Sequence, residues 1–97
     1  MTEEQYRICL LAINTYGVEH QKRKCLEELG ELIAEIAREH EDRGGADRVR
    51  EELADVIVMC EQMRIIYGGS LTDEWIQRKL ERLRNRIHGL TEGGSGP

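Results

Sequence analysis

The stretch at residues 51–63, EELADVIVMCEQM, limits the structures open to this chain more than any other. On an α-helix, at about 100° per residue, one broad arc contains Glu52, and Asp55 sits at its edge. The apolar residues of that arc are Leu53, Val56, Met59, Cys60 and Met63. A carboxylate directed at a core costs on the order of several kcal/mol unless it is paired, protonated or bound to a metal. Glu52 therefore needs a partner from another element.

The segment at residues 24–37, KCLEELGELIAEIA, contains the candidate partners. Its apolar arc consists of Cys25, Leu26, Leu29, Leu32, Ile33 and Ile36, and an acidic stripe of Glu28, Glu31 and Glu35 follows the border of that arc. If the two helices pack together, four or five carboxylates meet in one cluster. Such a set of hard oxygen ligands suits Mg²⁺ or Mn²⁺ better than zinc.

Two interpretations without a metal stay open for these acids. Glutamate is a good helix former, and pairs three residues apart are common on solvated helix faces. Glu52 can also be satisfied by an Arg or Lys from another helix, as a buried ion pair.

Composition limits the class of protein. The chain has 97 residues, of which 39% are hydrophobic, so we expect one small domain over residues 1–90, with TEGGSGP at 91–97 as a disordered tail. A net charge of -5 argues against general binding to nucleic acid or to an anionic membrane. The acidic start MTEEQ is unlike a secretory signal, and no apolar run approaches the roughly 18 residues that span a bilayer. These features predict a cytoplasmic protein in which Cys9, Cys25 and Cys60 are reduced core residues.

Apolar residues recur at helical spacing in four segments, and no segment alternates as a strand does. We expect the first helix to be capped by Thr2 and to end at Gly17, and the second to run from Val18 to Arg43. We expect Asp47 to cap a third helix that reaches Tyr67, and Thr72 to cap a fourth that ends near His88. The predicted fold is an all-α, antiparallel bundle of about four helices.

The third helix predicts oligomerisation. Val58 and Ile65 lie on the side away from its main apolar stripe. A helix that is apolar on both sides needs neighbours on both. A chain of this size has few helices to supply them, so we expect a second subunit to complete the bundle.

The fourth helix adds positive charge. Lys79, Arg82 and Arg86 line one border of its apolar stripe. They are typical of a solvated basic face or of salt bridges to the acidic helices. Beside a metal-loaded carboxylate cluster, the same three cations are suited to the phosphate oxygens of a polyphosphate.

The two acidic motifs resemble those of the MazG-like, all-α nucleoside triphosphate pyrophosphohydrolases, whose signature is EExxE followed at a distance by ExxD. The first half reads EELGE at residues 27–31, and the second reads ELAD at residues 52–55. The resemblance covers the second and third helices and is looser on the fourth, where Lys79, Arg82 and Arg86 are the counterparts of the family's basic residues.

The resemblance implies a Mg²⁺-dependent enzyme, with Mn²⁺ as a substitute, that cleaves a nucleoside triphosphate to the monophosphate and pyrophosphate in nucleotide-pool control or house-cleaning. By motif position the metal ligands would be Glu28, Glu31, Glu52 and Asp55. Either Glu27 or Glu31 would take the proton from the attacking water. Members of the family assemble as dimers or tetramers. Phosphoribosyl-ATP pyrophosphatase has a similar acidic motif, so the substrate's base and sugar stay open.

Two other classes of function are compatible with the same residues. One is a non-catalytic helical oligomerisation or adaptor module, in which the acids and bases are interhelical salt bridges. The other is a nucleotide sensor, which keeps the metal and the triphosphate but lacks a base to activate water.

Overall fold

The computed structural model describes residues 1–91, and all regular structure in that range is helical. The four helices are α1 (Glu3–Tyr16), α2 (Val18–His40), α3 (Ala46–Tyr67) and α4 (Gly69–Thr91). The all-α prediction is confirmed. The chain divides into two compact units, Met1–Ile66 with α1 to α3 and a second unit that begins at Tyr67 and contains α4. The single domain over residues 1–90 stays a prediction.

The start of α1 follows the sequence pattern. Thr2 accepts a hydrogen bond at Oγ1 from the backbone N–H of Gln5 at 3.1 Å, and its own N–H donates to Gln5 Oε1 at 3.0 Å. This reciprocal capping box satisfies backbone donors that the first helical turn leaves unpaired. One residue, Gly17, separates α1 from α2, and its φ of +94° is a conformation that side chains other than glycine rarely adopt.

The second helix ends at His40, three residues before the predicted end at Arg43. Asp42 has a φ of +59°, in the left-handed region. Its N–H donates to the Glu39 carbonyl at 3.0 Å, and the Arg43 N–H donates to the Arg38 carbonyl at 2.8 Å. These two bonds form a Schellman motif, which ends the helix before the Gly44-Gly45 pair is reached.

Two other helices begin earlier than predicted. The third starts at Ala46, so Asp47 lies in its first turn and does not cap it. The fourth starts at Gly69, and Thr72 is already helical: its Oγ1 and its N–H both donate to the Gly68 carbonyl, at 2.7 and 3.1 Å. The fourth helix continues to Thr91, past the predicted end near His88, and the rest of the predicted tail, 92–97, lies outside the described residues.

Helices α2 and α3 run antiparallel, as predicted for this pair. Gln21 near the start of α2 bonds Gln62 near the end of α3, whereas Glu31 further along α2 meets Glu52 nearer the start of α3. The two helices therefore form a hairpin that closes at residues 41–45.

The buried side of α2 consists of polar side chains together with Cys25, and most of the apolar arc is exposed. Glu28 and Glu35 are each only 7% exposed, whereas Leu26 and Ile33 are 69% and 70% exposed. The apolar pattern predicts the reverse, with the arc buried and the acids at its border. Within one chain α2 has few neighbours to cover it, and they cover the acidic side.

The core of the first unit is small. The buried apolar residues among those described are Cys9, Ile13, Cys25, Val56 and Met59. Cys60 is exposed, so the prediction of a core position was wrong for this cysteine. In the part of the chain that the structure describes, no helix is both long and apolar enough to cross a membrane.

Candidate metal centre

Three carboxylates from two helices meet in the seam between α2 and α3. One oxygen from each of Glu28, Glu31 and Glu52 lies within 4.8 Å of the others. The spacing of three residues directs Glu28 and Glu31 to the same side of α2. The antiparallel hairpin then brings Glu52 of α3 opposite them, as the sequence predicts.

Two oxygens of this set are buried without a partner. Glu28 Oε2 and Glu52 Oε2 accept no hydrogen bond from the described residues 1–91. A buried acceptor without a partner costs free energy, and a charged one costs more. The arrangement is therefore unfavourable unless a proton or a cation is added.

The pKa of Glu52 shows the same imbalance. Burial raises this pKa above its usual value of 4.5, and the negative charge of Glu31, a hydrogen bond with Glu31 and the charges of Asp55 and Glu28 raise it further. All of these causes oppose ionisation of Glu52. A divalent cation between the carboxylates would reverse the charge effects, because it attracts every one of these oxygens.

Lys24 neutralises the outer side of Glu28. Its Nζ lies 3.3 Å from Glu28 Oε1 and 3.7 Å from Glu27 Oε1. A hydrogen bond to Glu28 and the charges of Glu27 and Glu28 raise the pKa of Lys24. Glu28 thus uses one oxygen for Lys24 and turns the other, Oε2, into the seam.

The residues fit a hard divalent cation. Mg²⁺ binds oxygens at about 2.0–2.1 Å in octahedral geometry, so any two of its ligand oxygens lie about 3–4 Å apart. The separation of up to 4.8 Å closes to that range with small rotations of flexible glutamate side chains. Three carboxylates would hold the ion and leave further positions for water or phosphate oxygens.

The other predicted site residues lie outside this set. Asp55 is exposed on α3, yet its charge reaches Glu52. Glu27 is exposed beside Lys24. The three basic residues Lys79, Arg82 and Arg86 are exposed on α4, in the second unit, and their role in binding phosphate stays a prediction.

A buried amide pair in the same seam was not found from the sequence. Gln21 Nε2 donates to Gln62 Oε1 at 2.6 Å, and each residue is only 4% exposed. A signal for it existed. Gln21, Glu28 and Glu35 recur every seven residues, which places all three on one face of α2, and all three are buried. This polar heptad marks the seam better than the apolar arc does.

Comparison with protein-family models, with curated proteins and with solved structures finds no match for this chain.

Proposed function

We propose that this protein is a Mg²⁺-dependent nucleoside triphosphate pyrophosphohydrolase that releases pyrophosphate and a nucleoside monophosphate, with Mn²⁺ as a substitute metal. The observation that supports it most is the set of Glu28, Glu31 and Glu52, in which two buried oxygens lack a partner among the described residues. The EELGE and ELAD motifs supply the class of reaction, by their resemblance to the MazG-like enzymes.

The contacts of the acids favour a metal over an adaptor held together by interhelical salt bridges. Glu28 pairs with Lys24 and Glu35 pairs with Arg38, so each of these ion pairs lies within α2. Across the seam between α2 and α3, the carboxylates of Glu28 and Glu31 face the carboxylate of Glu52. Such an arrangement weakens the hairpin unless a cation joins its two helices.

The proposed reaction assigns a role to each of the predicted site residues, and Glu31 is a candidate for two. Glu28, Glu31 and Glu52 hold the metal, with Asp55 as a fourth ligand. When bound, Mg²⁺ neutralises phosphate charge and lowers the pKa of a coordinated water. Glu27 or Glu31 accepts the proton of the water that attacks the α-phosphorus. Lys79, Arg82 and Arg86 of α4 bind phosphate oxygens.

A homodimer or homotetramer is part of the proposal. Leu26, Ile33 and Ile57 are 69%, 70% and 51% exposed, and Val58 is 44% exposed. Leu26 and Ile33 are seven residues apart and so lie on one face of α2, and an exposed apolar face is typical of an interface. A second copy that packs on this surface would bury the apolar arc that α2 leaves uncovered in one chain.

Nucleotide sensing without turnover is the second candidate. Glu31 belongs to the carboxylate set, and Glu27 lies 3.7 Å from Lys24 Nζ. If Glu31 binds the metal and Glu27 stays paired with Lys24, neither carboxylate is available to take a proton from water. The metal and the triphosphate would then bind without hydrolysis.

A pyrophosphate-release assay separates these functions. The panel contains canonical and oxidised NTPs and dNTPs, each with Mg²⁺, Mn²⁺ or EDTA. Release that requires the metal and is lost in Glu52→Gln supports the enzyme and ranks its substrates. Metal-dependent binding that returns the nucleotide unchanged supports the sensor, and neither binding nor release supports the adaptor.

A further inference from the structure

The hairpin tip between α2 and α3 contains a cluster of arginines that the proposed function does not use. An open cavity of about 290 Å³ lies there. Its lining consists of Glu35, Arg38, Arg43, Gly44, Gly45 and Arg48. Three arginines and one glutamate thus line the same space, in a chain whose net charge is -5.

The local backbone holds two of these arginines together. The N–H of Arg43 donates to the carbonyl of Arg38 at 2.8 Å, as part of the Schellman motif. Gly44 then passes close to α2, where an added Cβ would lie 3.3 Å from the Arg38 Cβ. The turn therefore folds back on the last turns of α2 and brings Arg43 to the cavity that Arg38 also lines.

Glu35 positions Arg38. Glu35 is 7% exposed, and Arg38 Nη1 donates to its Oε1. A guanidinium has five N–H donors in a planar fork, so this bond leaves most of them for a ligand. The carboxylate is satisfied, and the arginine is held in place at the cavity wall.

Arg43 and Arg48 can bind a ligand without the loss of a strong ion pair. Arg43 bonds Glu41 at 2.7 Å, in a pair whose side chains are 63% and 57% exposed, and exposed pairs of this kind are weak. Arg48 makes no ion pair with the described residues 1–91 in this structure. The cavity therefore has an excess of positive charge, even though acidic residues surround it in sequence.

The cavity continues the seam that holds the carboxylates. Along α2, Glu35 follows Glu31 by four residues, and along α3, Arg48 precedes Glu52 by four, so each step is about 6 Å at 1.5 Å per residue. The seam thus passes from the carboxylate set to the arginines within about one helical turn. Both groups belong to the first unit.

We propose that Arg38, Arg43 and Arg48 bind the terminal phosphates of a nucleoside triphosphate whose α-phosphate lies at Glu28, Glu31 and Glu52. This inference rests on the proposed function and names a phosphate site within the α2–α3 hairpin. Guanidinium forks match phosphate oxygens in bidentate geometry. A volume of about 290 Å³ is at the lower limit for ligand pockets, which suits linked phosphates and not a whole nucleotide.

The direct test uses tripolyphosphate in EDTA, so it requires neither a metal nor turnover. Binding is measured by calorimetry at an ionic strength of about 0.15 M, where the Debye length is about 8 Å, for wild type and for Arg48→Gln. We expect the substitution to weaken binding by about tenfold or more, because it removes charge-assisted hydrogen bonds. The matched control is Arg50→Gln, two residues along α3, because Arg50 pairs with Asp47 and does not line the cavity. It should change the affinity by less than about twofold, as a screened surface charge does.

Arg82→Gln on α4 separates the two phosphate sites. If Arg82→Gln abolishes tripolyphosphate binding and Arg48→Gln does not, the inference is wrong. Equal losses in Arg48→Gln and Arg50→Gln, or no binding by the wild type, also overturn it. Arg48 is exposed, so its variant should fold, and thermal melts check this. Arg38 is unsuitable as a test because its loss would strand the buried Glu35 carboxylate.

Turnover gives an independent readout if the protein is an enzyme. Arg48→Gln should then raise KM for the triphosphate more than it lowers kcat, because a contact to the leaving pyrophosphate is made already in the ground state. If no substrate is hydrolysed but tripolyphosphate binds as described, the proposed function fails and the arginine site stands. If a substrate is hydrolysed but tripolyphosphate does not bind as described, the proposed function stands and the arginine site fails.

Discussion

Gln21 on α2 and Gln62 on α3 form a 2.6 Å hydrogen bond between two buried amides, at the end of the seam away from the hairpin tip. Buried polar pairs are satisfied in only a few relative positions of two helices. A shift of either helix would break this bond and leave the buried Gln62 Oε1 without its donor, because the other hydrogen bonds of the two amides, to His20 and Met59, lie within their own helices. The pair therefore helps to fix the register that places Glu28 and Glu31 opposite Glu52.

Removing one amide should cost more than removing both. Gln21→Met leaves the Gln62 amide buried without its partner, and we expect a loss of about 1–3 kcal/mol in the free energy of unfolding. The double variant Gln21→Met/Gln62→Met replaces both by apolar groups of similar shape and should recover most of that loss. Urea denaturation measures both. If the double variant loses the sum of the two single losses, the amides do not act as a pair.

The metal-free protein should lose stability as pH rises, through Glu52. Its pKa is higher in the folded state than its usual value of 4.5, so between these two values the folded state holds more protons than the unfolded state. The stability that Glu52 contributes is then present at low pH and lost as pH rises through the folded pKa. In EDTA, the Tm of Glu52→Gln minus that of wild type should increase from pH 4.5 to 7.5.

Two controls belong to this measurement. Glu51→Gln removes a neighbouring exposed carboxylate, so its difference from wild type should be nearly flat with pH. Excess Mg²⁺ should raise the wild-type Tm more at pH 7.5 than at pH 4.5, because fewer protons then compete with the ion for its ligands. A Glu52→Gln difference that is independent of pH would show that the acids do not repel one another in the folded protein.

The sequence predicted the positions of the helices better than it predicted which face of each helix is buried. Helical spacing and the Thr2 cap located α1, and the motif spacing brought Glu28, Glu31 and Glu52 together. The end of α2 was misplaced because Asp42, which is not a glycine, adopts the left-handed conformation that stops it. Periodicity shows which side chains share a face, but the neighbours available decide which face is buried. In α2 the buried face is the one that contains the polar heptad of Gln21, Glu28 and Glu35.

The exposed apolar arc gives the prediction for oligomerisation. Ile33→Glu puts a carboxylate in the middle of that arc, where burial against a second copy would desolvate it. We expect wild type to be a dimer or tetramer by light scattering at micromolar concentration, and Ile33→Glu to dissociate toward the monomer. Arg23→Glu adds a carboxylate at another exposed position of α2 and should leave the mass unchanged. A wild-type mass equal to that of one chain would contradict the assembly.

Calorimetric titration of the chain with Mn²⁺ tests the carboxylate site most directly. The proteins are wild type, Glu52→Gln and the control Glu51→Gln, all at pH 7.5. We predict that wild type and Glu51→Gln bind Mn²⁺ alike, and that Glu52→Gln binds at least about tenfold more weakly, because it loses a charged ligand from the seam. If all three proteins bind equally, or if none binds at millimolar Mn²⁺, then Glu28, Glu31 and Glu52 are not a metal centre and the proposed reaction loses its basis.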